Sequence, residues 1–503
     1  MSASRPADPV VRHRAGGALV LGLVVLGLVL RLPGLPLVGT GDMHVWRLWA
    51  KAAATHGFTE TYPLAGRADW PPLTPDTVAQ VLAGRIQPGT FTHNRVTAPT
   101  DYPPGSILVL WGVGKVYQAL IAPDFANNPA FHALIKLVVV LGDALAAALI
   151  AWAVRRWAGP PGGTRLAAVA GLAYWCNPTI IVAGSVLGYL DALYVLPLLA
   201  LLLALTLRRY AAGWVAWGVA FMVKLQALFV GPALGLLSLR RGPVRLAGYA
   251  AAALGTIGLF CAPFLLKGTF IGVLAGLGNN AQEGYLSANQ VNLWWVWSYF
   301  WEWNAEGKGP GVLVRIVPVS VVSEAHVADL NAWAIGLFAA FLLGTTAVWA
   351  GGNRGRAPAA LRVTDLFLVP LQFYGATMLL PSIHENHLLP VPALVLLLAG
   401  LAAARGARPL ARQLAGLYVA LSVIVGLNLL LFYGFGRGAI APVPRMWFGA
   451  DASVLLAALN VVLFAMTLAV WGVAHVRTGA PGRAAPAPTG TRHAAGHNLT
   501  PEA

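Results

Sequence analysis

Stretches of about 20 predominantly apolar residues recur along nearly the whole chain, which is the length an α-helix needs to cross the hydrocarbon of a bilayer. No water is available there to satisfy the backbone, so only helices and closed β-barrels can span. Barrel strands read as alternating segments of about 10 residues, and this sequence does not alternate. The chain is therefore expected to be all-α, a polytopic transmembrane bundle. Of its 503 residues 58% are hydrophobic and only 10% charged, against about 25% charged in soluble proteins.

The formal net charge of +16 would suggest a nucleic-acid partner in a soluble protein. Here the excess is arginine spread over short loops, the mark of cytoplasmic helix ends, so no nucleic acid is expected. The clusters are Arg5/Arg12/Arg14, Arg155/Arg156/Arg165, Arg208/Arg209, Arg240/Arg241/Arg245, Arg354/Arg356/Arg362, Arg405/Arg408/Arg412 and Arg477/Arg483/Arg492. With all of them inside, hydropathy places about 12 spans near 17–35, 131–153, 165–177, 190–207, 211–224, 226–239, 246–266, 328–350, 363–381, 388–404, 413–433 and 453–474. The short pieces at 165–177 and 211–239 suit half-helices meeting at a cavity.

This gives a cytoplasmic N-terminus (1–16), a transmembrane domain (17–475) and a Pro/Ala/Gly-rich cytoplasmic tail (476–503) too poor in apolar surface to fold. Two large loops, 36–104 and 267–327, face outward. Segment 105–123 would upset the arginine pattern if it crossed, so it is expected to lie in the outer interface or turn back. The first apolar run lacks a small-residue cleavage site and reads as an anchor. Cys176 and Cys261, the only cysteines, lie in apolar stretches and offer neither a disulfide framework nor a metal site.

Charge at membrane depth costs roughly 2.5 kcal/mol or more per residue and commonly lines a polar cavity. The polar residues outside the cytoplasmic loops are thus candidates: Asp42, Asp101, Asp191, Lys224, Gln226, Asn292, His384, Glu385 and His387. All fall on the outer face of a topology drawn from arginines alone. Asp42 opens an amphipathic stretch, Met43 to His56, expected to lie in the interface with Trp46, Trp49, Ala50 and Ala53 on one face and Arg47, Lys51 and His56 on others. Gly41-Asp42 is also good N-cap chemistry, and a capping carboxylate is one held in place. Asp101-Tyr102-Pro103-Pro104 stiffens the entry to the next helix. Asp191 ends a block beginning at Asn177-Pro178 that suits a re-entrant cavity lining, or else pairs with a neighbour for structure. Lys224 and Gln226 interrupt the apolar stretch 211–239, where a lysine is too deep to snorkel. His384-Glu385-Asn386-His387 lacks the His-Glu-x-x-His spacing and an evident third ligand, so no metal is expected, and phosphate recognition suits it better.

In order, Gly41-Asp42-Met43, Asp101-Tyr102-Pro103-Pro104, Lys224-Leu225-Gln226, Val291-Asn292-Leu293-Trp294-Trp295 and Ile383-His384-Glu385-Asn386 resemble the motifs of the C-type integral-membrane glycosyltransferases. The pattern is similar to the dolichyl-phosphate-glucose-dependent glucosyltransferases and their prokaryotic polyprenyl-phosphate-sugar relatives. The resemblance implies inverting transfer of a hexose, glucose or mannose among them, from a polyprenyl-phosphate donor to a hydroxyl of a lipid-linked glycan or glycolipid. The transfer takes place outside the membrane and without a cofactor. It makes Asp42 the general base and puts His384 and Glu385 near the donor phosphate. Lys224 and His387 are further phosphate candidates; Tyr102 enters with its motif. Three departures stand out: the long stretch from Trp70 to Arg95, Asn386 where relatives often carry Lys or Arg, and Gly188-Tyr189-Leu190-Asp191 in place of a His/Gln motif. A transporter or lipid flippase, and a protein O-mannosyltransferase, are the alternatives. No internal repeat or soluble domain favours either. The Ala, Gly and Arg content points to a bacterial plasma membrane.

Overall fold

A computed structural model describes residues 9–126, 129–159, 162–281, 284–305, 307, 309–324, 329–354, 361–434 and 442–477; the expected tail beyond residue 477 lies outside them. Helix α1 (Pro9–Val29) leads to a first loop region holding α2 (Asp42–His56), α3 (Pro75–Leu82), strands β1 (Thr90–His93) and β2 (Val96–Pro99), and α4 (Pro104–Leu120). The bundle continues through α5 (Pro129–Ala158), α6 (Gly163–Trp175), α7 (Pro178–Ile181), α8 (Ala192–Thr206), α9 (Tyr210–Val223), α10 (Gly231–Leu239) and α11 (Pro243–Lys267). A second loop region holds α12 (Phe270–Ala281), α13 (Leu293–Asn304) and α14 (Val319–Glu324). After it come α15 (Leu330–Gly352), α16 (Val363–Leu366), α17 (Leu368–Leu379), α18 (Pro390–Ala404), α19 (Arg408–Tyr433) and α20 (Ala452–Arg477), with the short strands β3 (Met446–Trp447) and β4 (Ala450–Asp451) before the last helix.

Helices stand at all twelve expected stretches, but among the described residues only six are long and apolar enough to cross a membrane alone: Gly17–Gly34, α5, α11, α15, α19 and α20. A further candidate is a bent pair, a broken span or a re-entrant turn. Its first half, α6, continues past the expected end at residue 177 through α7 to Leu187 with a 45° bend. Asn177 makes the bend: its side chain accepts from the Thr179 N–H (2.9 Å) and donates to Tyr418 and Ser422 on α19 (2.7 and 2.9 Å). The remaining central helices are short. At 15 residues, α8 reaches roughly 22 Å against a hydrocarbon core of about 30 Å. Helix α18 is buried on every side, as expected of a helix apolar all round.

Two expectations about the first loop are corrected. The chain is not wholly α-helical, because β1 and β2 pair antiparallel around Asn94 and Arg95, both at positive φ (50° and 66°); that is the geometry of a two-residue hairpin turn. Nor does α2 lie free in an interface. Met43, Trp46, Arg47, Leu48, Trp49, Ala50, Ala52, Ala53 and Ala54 are all buried. Helix α4, the doubtful segment 105–123, covers it: Lys115 donates to the Ala54 carbonyl (2.8 Å), and a Cβ on Gly114 would lie 2.4 Å from the Ala50 oxygen. The hairpin adds Trp49 Nε1 to the Pro99 carbonyl (2.9 Å) and Lys51 Nζ against His93 Nδ1 (2.9 Å).

The linker into α2 is fastened to the bend below α8. Lys136 on α5 gives its three protons to the carbonyls of Gly34 (3.0 Å), Leu37 (2.7 Å) and Val186 (2.7 Å), so a lysine inside a span is fully satisfied. The Thr40 N–H donates to the Leu187 carbonyl (3.2 Å). Gly39 sits at φ +77°, where a Cβ would lie 2.3 Å from that same Leu187 oxygen. Gly39→Ala is therefore expected to cost about 1–3 kcal/mol, read as a lower denaturation midpoint of the purified protein.

Candidate active site

The short central helices end at one polar recess. Asp191 precedes α8, Lys224 follows α9, and His384 to His387 join α17 to α18. The arginines stand at the opposite ends, Arg208 and Arg209 after α8, Arg240 after α10 and Arg405 after α18. The site thus occupies the helix ends that the arginines avoid.

Asp42 is the first residue of α2, with Gly41 in the cap position making no side-chain cap bond. The capping role expected of Asp42 is absent. What holds the carboxylate instead is its place in the first turn, at the positive end of the helix dipole. It is exposed and makes no hydrogen bond to a described residue. Even so, burial by surrounding protein, followed by the negative charge of Glu385, pushes its pKa up to about 6, while His384 and Lys224 pull the other way. A group both reachable by water and desolvated by its walls lies in a concavity.

The facing wall begins at Lys224. Trp214 Nε1 donates to Ser238 Oγ (3.0 Å) and Trp217 Nε1 to the Ala227 carbonyl (2.8 Å), so the segments on either side of Lys224 fold back antiparallel. Lys224 is extended at the turn (φ −151°, ψ 129°), and Ser106 on α4 satisfies the freed Val223 carbonyl (2.6 Å). Lys224 Nζ lies 2.8 Å from Asp191 Oδ1, with both side chains buried, and 5.4 Å from the Tyr194 ring centroid. Asn386 Nδ2 donates to the other Asp191 oxygen (3.3 Å). The two charges read separately from the sequence are one pair, which leaves Lys224 two more ammonium protons to offer.

His387 accepts the His384 N–H at Nδ1 (3.3 Å) and faces the Gln226 amide with Nε2 (3.1 Å). Burial, then the neighbouring Lys224 charge, holds its pKa well below the usual value, so the ring is neutral. Glu385 Oε1 accepts from Tyr189 OH (2.5 Å). Its Oε2 and Asn386 Oδ1 are buried with no partner among the described residues. Unmet acceptors of this kind await donors such as hydroxyl groups. The second loop clamps the segment from outside: the Ala288 N–H donates to the Ile383 carbonyl (3.0 Å), the Ser382 N–H to the Tyr285 carbonyl (2.9 Å). The Gln290 amide, turned to donate, reaches the Glu385 and His384 carbonyls (3.2 and 3.3 Å).

Seven of the residues expected from sequence thus gather around the recess: Asp42, Asp191, Lys224, Gln226, His384, Glu385 and His387. Asp101 and Tyr102 flank it, with the Tyr102 carbonyl accepting from Tyr62 OH (2.7 Å) and its ring 5.4 Å from that of Trp49. Asn292 is spent elsewhere. It caps α13 by accepting the Trp295 N–H (3.0 Å) and donates to the Thr377 carbonyl (3.1 Å). Tyr189, Tyr194, Gln290 and Asn386 were not anticipated as site residues; Tyr189 and Asn386 lie inside motifs already noted, whereas Gln290 carries no local signal. Among the described residues no three His, Cys, Asp or Glu side chains converge as metal ligands would.

No protein-family model and no curated protein matches the sequence. Among solved structures, the chain is similar to one described as the crystal structure of ArnT from Cupriavidus metallidurans bound to undecaprenyl phosphate. The TM-score is 0.43 and the identity 16%, over 92% of this chain and 75% of that one.

Proposed function

We propose that this chain is an inverting glycosyltransferase of the C type, moving a hexose from a polyprenyl-phosphate-linked donor to a hydroxyl of a lipid-linked glycan or glycolipid. The observation that carries the proposal is the division of labour in the recess. An unbonded carboxylate stands on one side, while a lysine, two histidines and two unmet buried acceptors stand on the other. In the proposed step the acceptor hydroxyl gives its proton to Asp42 as its oxygen bonds to the anomeric carbon. The carbon–oxygen bond to phosphate breaks with its electron pair passing to the phosphate, which Lys224 and His384 stabilise. Glu385 Oε2 and Asn386 Oδ1 accept from sugar hydroxyls. One catalytic carboxylate suffices, because phosphate leaves without protonation, unlike the alcohol in glycoside hydrolysis.

The prenyl chain would lie in the bilayer. By the positive-inside rule the recess opens extracytoplasmically, since the arginines occupy the other helix ends; a bacterial plasma membrane and an undecaprenyl-like donor accord with the composition. Transfer of labelled sugar from a polyprenyl-phosphate donor by the purified protein tests the proposal, and sugar uptake without transfer would refute it.

The base sets the pH profile. Asp42 works only when ionised, so kcat/KM is expected to fall about tenfold per pH unit below about 6. Glu385→Gln keeps the acceptor for Tyr189 and removes a negative neighbour of Asp42. The acid limb should therefore move to lower pH in that variant; a limb that stays in place would separate the two carboxylates.

A further inference from the structure

Arg47, placed by its spacing on another face of α2 than Trp46, Trp49, Ala50 and Ala53, is only 2% exposed. Its Nε and Nη1 are shut off from solvent without an acceptor, and among the described residues its guanidinium makes no hydrogen bond. Among the described residues it makes no ion pair, and its electrostatic neighbour is Tyr117. Guanidinium stays charged at any physiological pH, and a buried charge without a counter-charge is among the most costly arrangements a fold can hold.

We infer that Arg47 is the anchor of a second anion site, which takes an oxyanion of phosphate type. The planar fork of a guanidinium matches a phosphate oxyanion with two parallel bonds. The site is distinct from the recess. Arg47 is five residues from Asp42, roughly 7–8 Å along the helix axis, on the face of Met43, whose sulfur packs against Gly188. The inference does not depend on the transfer reaction.

Melting of the delipidated protein in zwitterionic detergent tests it, with inorganic phosphate or a short-chain phosphatidate as probe. The wild type is expected to shift upward in Tm. Arg47→Met, which replaces the charge by an apolar chain of similar length, is expected to melt at or above the wild type without anion and to lose part of the shift. The double variant Lys224→Met with Asp191→Asn, which removes the recess cation without leaving Asp191 uncompensated, should keep that part. A response to inorganic phosphate assigns the site to a free anion, and a response confined to phosphatidate assigns it to a lipid headgroup. If Arg47→Met does not fold, Arg47→Lys should fold and respond more weakly than the wild type. Equal anion responses in the wild type and the Arg47 variant, or a wild type that responds to neither probe, would overturn the inference.

Discussion

Asp42→Asn is expected to lower sugar transfer by two to four orders of magnitude, the usual contribution of a positioned general base, with little change in stability. The carboxylate makes no hydrogen bond to a described residue and caps nothing, so an amide of the same shape disturbs no contact. The substitution also removes a charge that its surroundings disfavour, which leaves the fold neutral or slightly firmer. Loss of activity with an unchanged Tm would therefore report chemistry and not damage. The defect should appear in kcat with KM for the donor held, because the proton is taken only in the transition state. A mutant that transfers at the wild-type rate would remove Asp42 from catalysis and leave the recess as a binding site.

Much of this architecture was legible because lipid imposes simple rules. Apolar length marked the helices, and arginine marked the helix ends that the site avoids. What the rules miss is whatever depends on contacts between distant segments. Asp191 and Lys224 stood out singly as costly charges, but nothing local joins residues 33 positions apart into a pair. The shortness of α9 and α10, by contrast, was legible, since 211–239 reads as two half-helices, and α9 and α10 meet at Lys224. Arg47 misled because helical periodicity assigns faces and not neighbours. With α4 laid over α2, a side chain set apart from the apolar face is buried all the same. The β-hairpin was missed because its turn is Asn94-Arg95, and only Asn-Gly or Asp-Gly gives the strong signal.

The pairing of Lys224 with Asp191 leads to the second large effect, on stability as well as turnover. Lys224→Met leaves Asp191 buried without its cation, and breaking a buried pair from one side costs about 3–5 kcal/mol. That is a large share of the roughly 5–15 kcal/mol by which folded proteins are stable. Removing both charges at once, as Asp191→Asn with Lys224→Met, should recover most of that loss, since a neutral pair carries no uncompensated charge. Activity should not recover with it. The double variant would be folded yet unable to stabilise the departing phosphate, so the donor-dependent rate should stay low in both. A cycle of Tm and transfer rates over the two single variants and the double variant separates the roles. Coupling in stability without rescue of the rate is the outcome expected of a cation held in place by Asp191 and used on the substrate. If the rate returns with the fold, Lys224 serves only to anchor the turn between α9 and α10, and the phosphate must be met by the histidines alone.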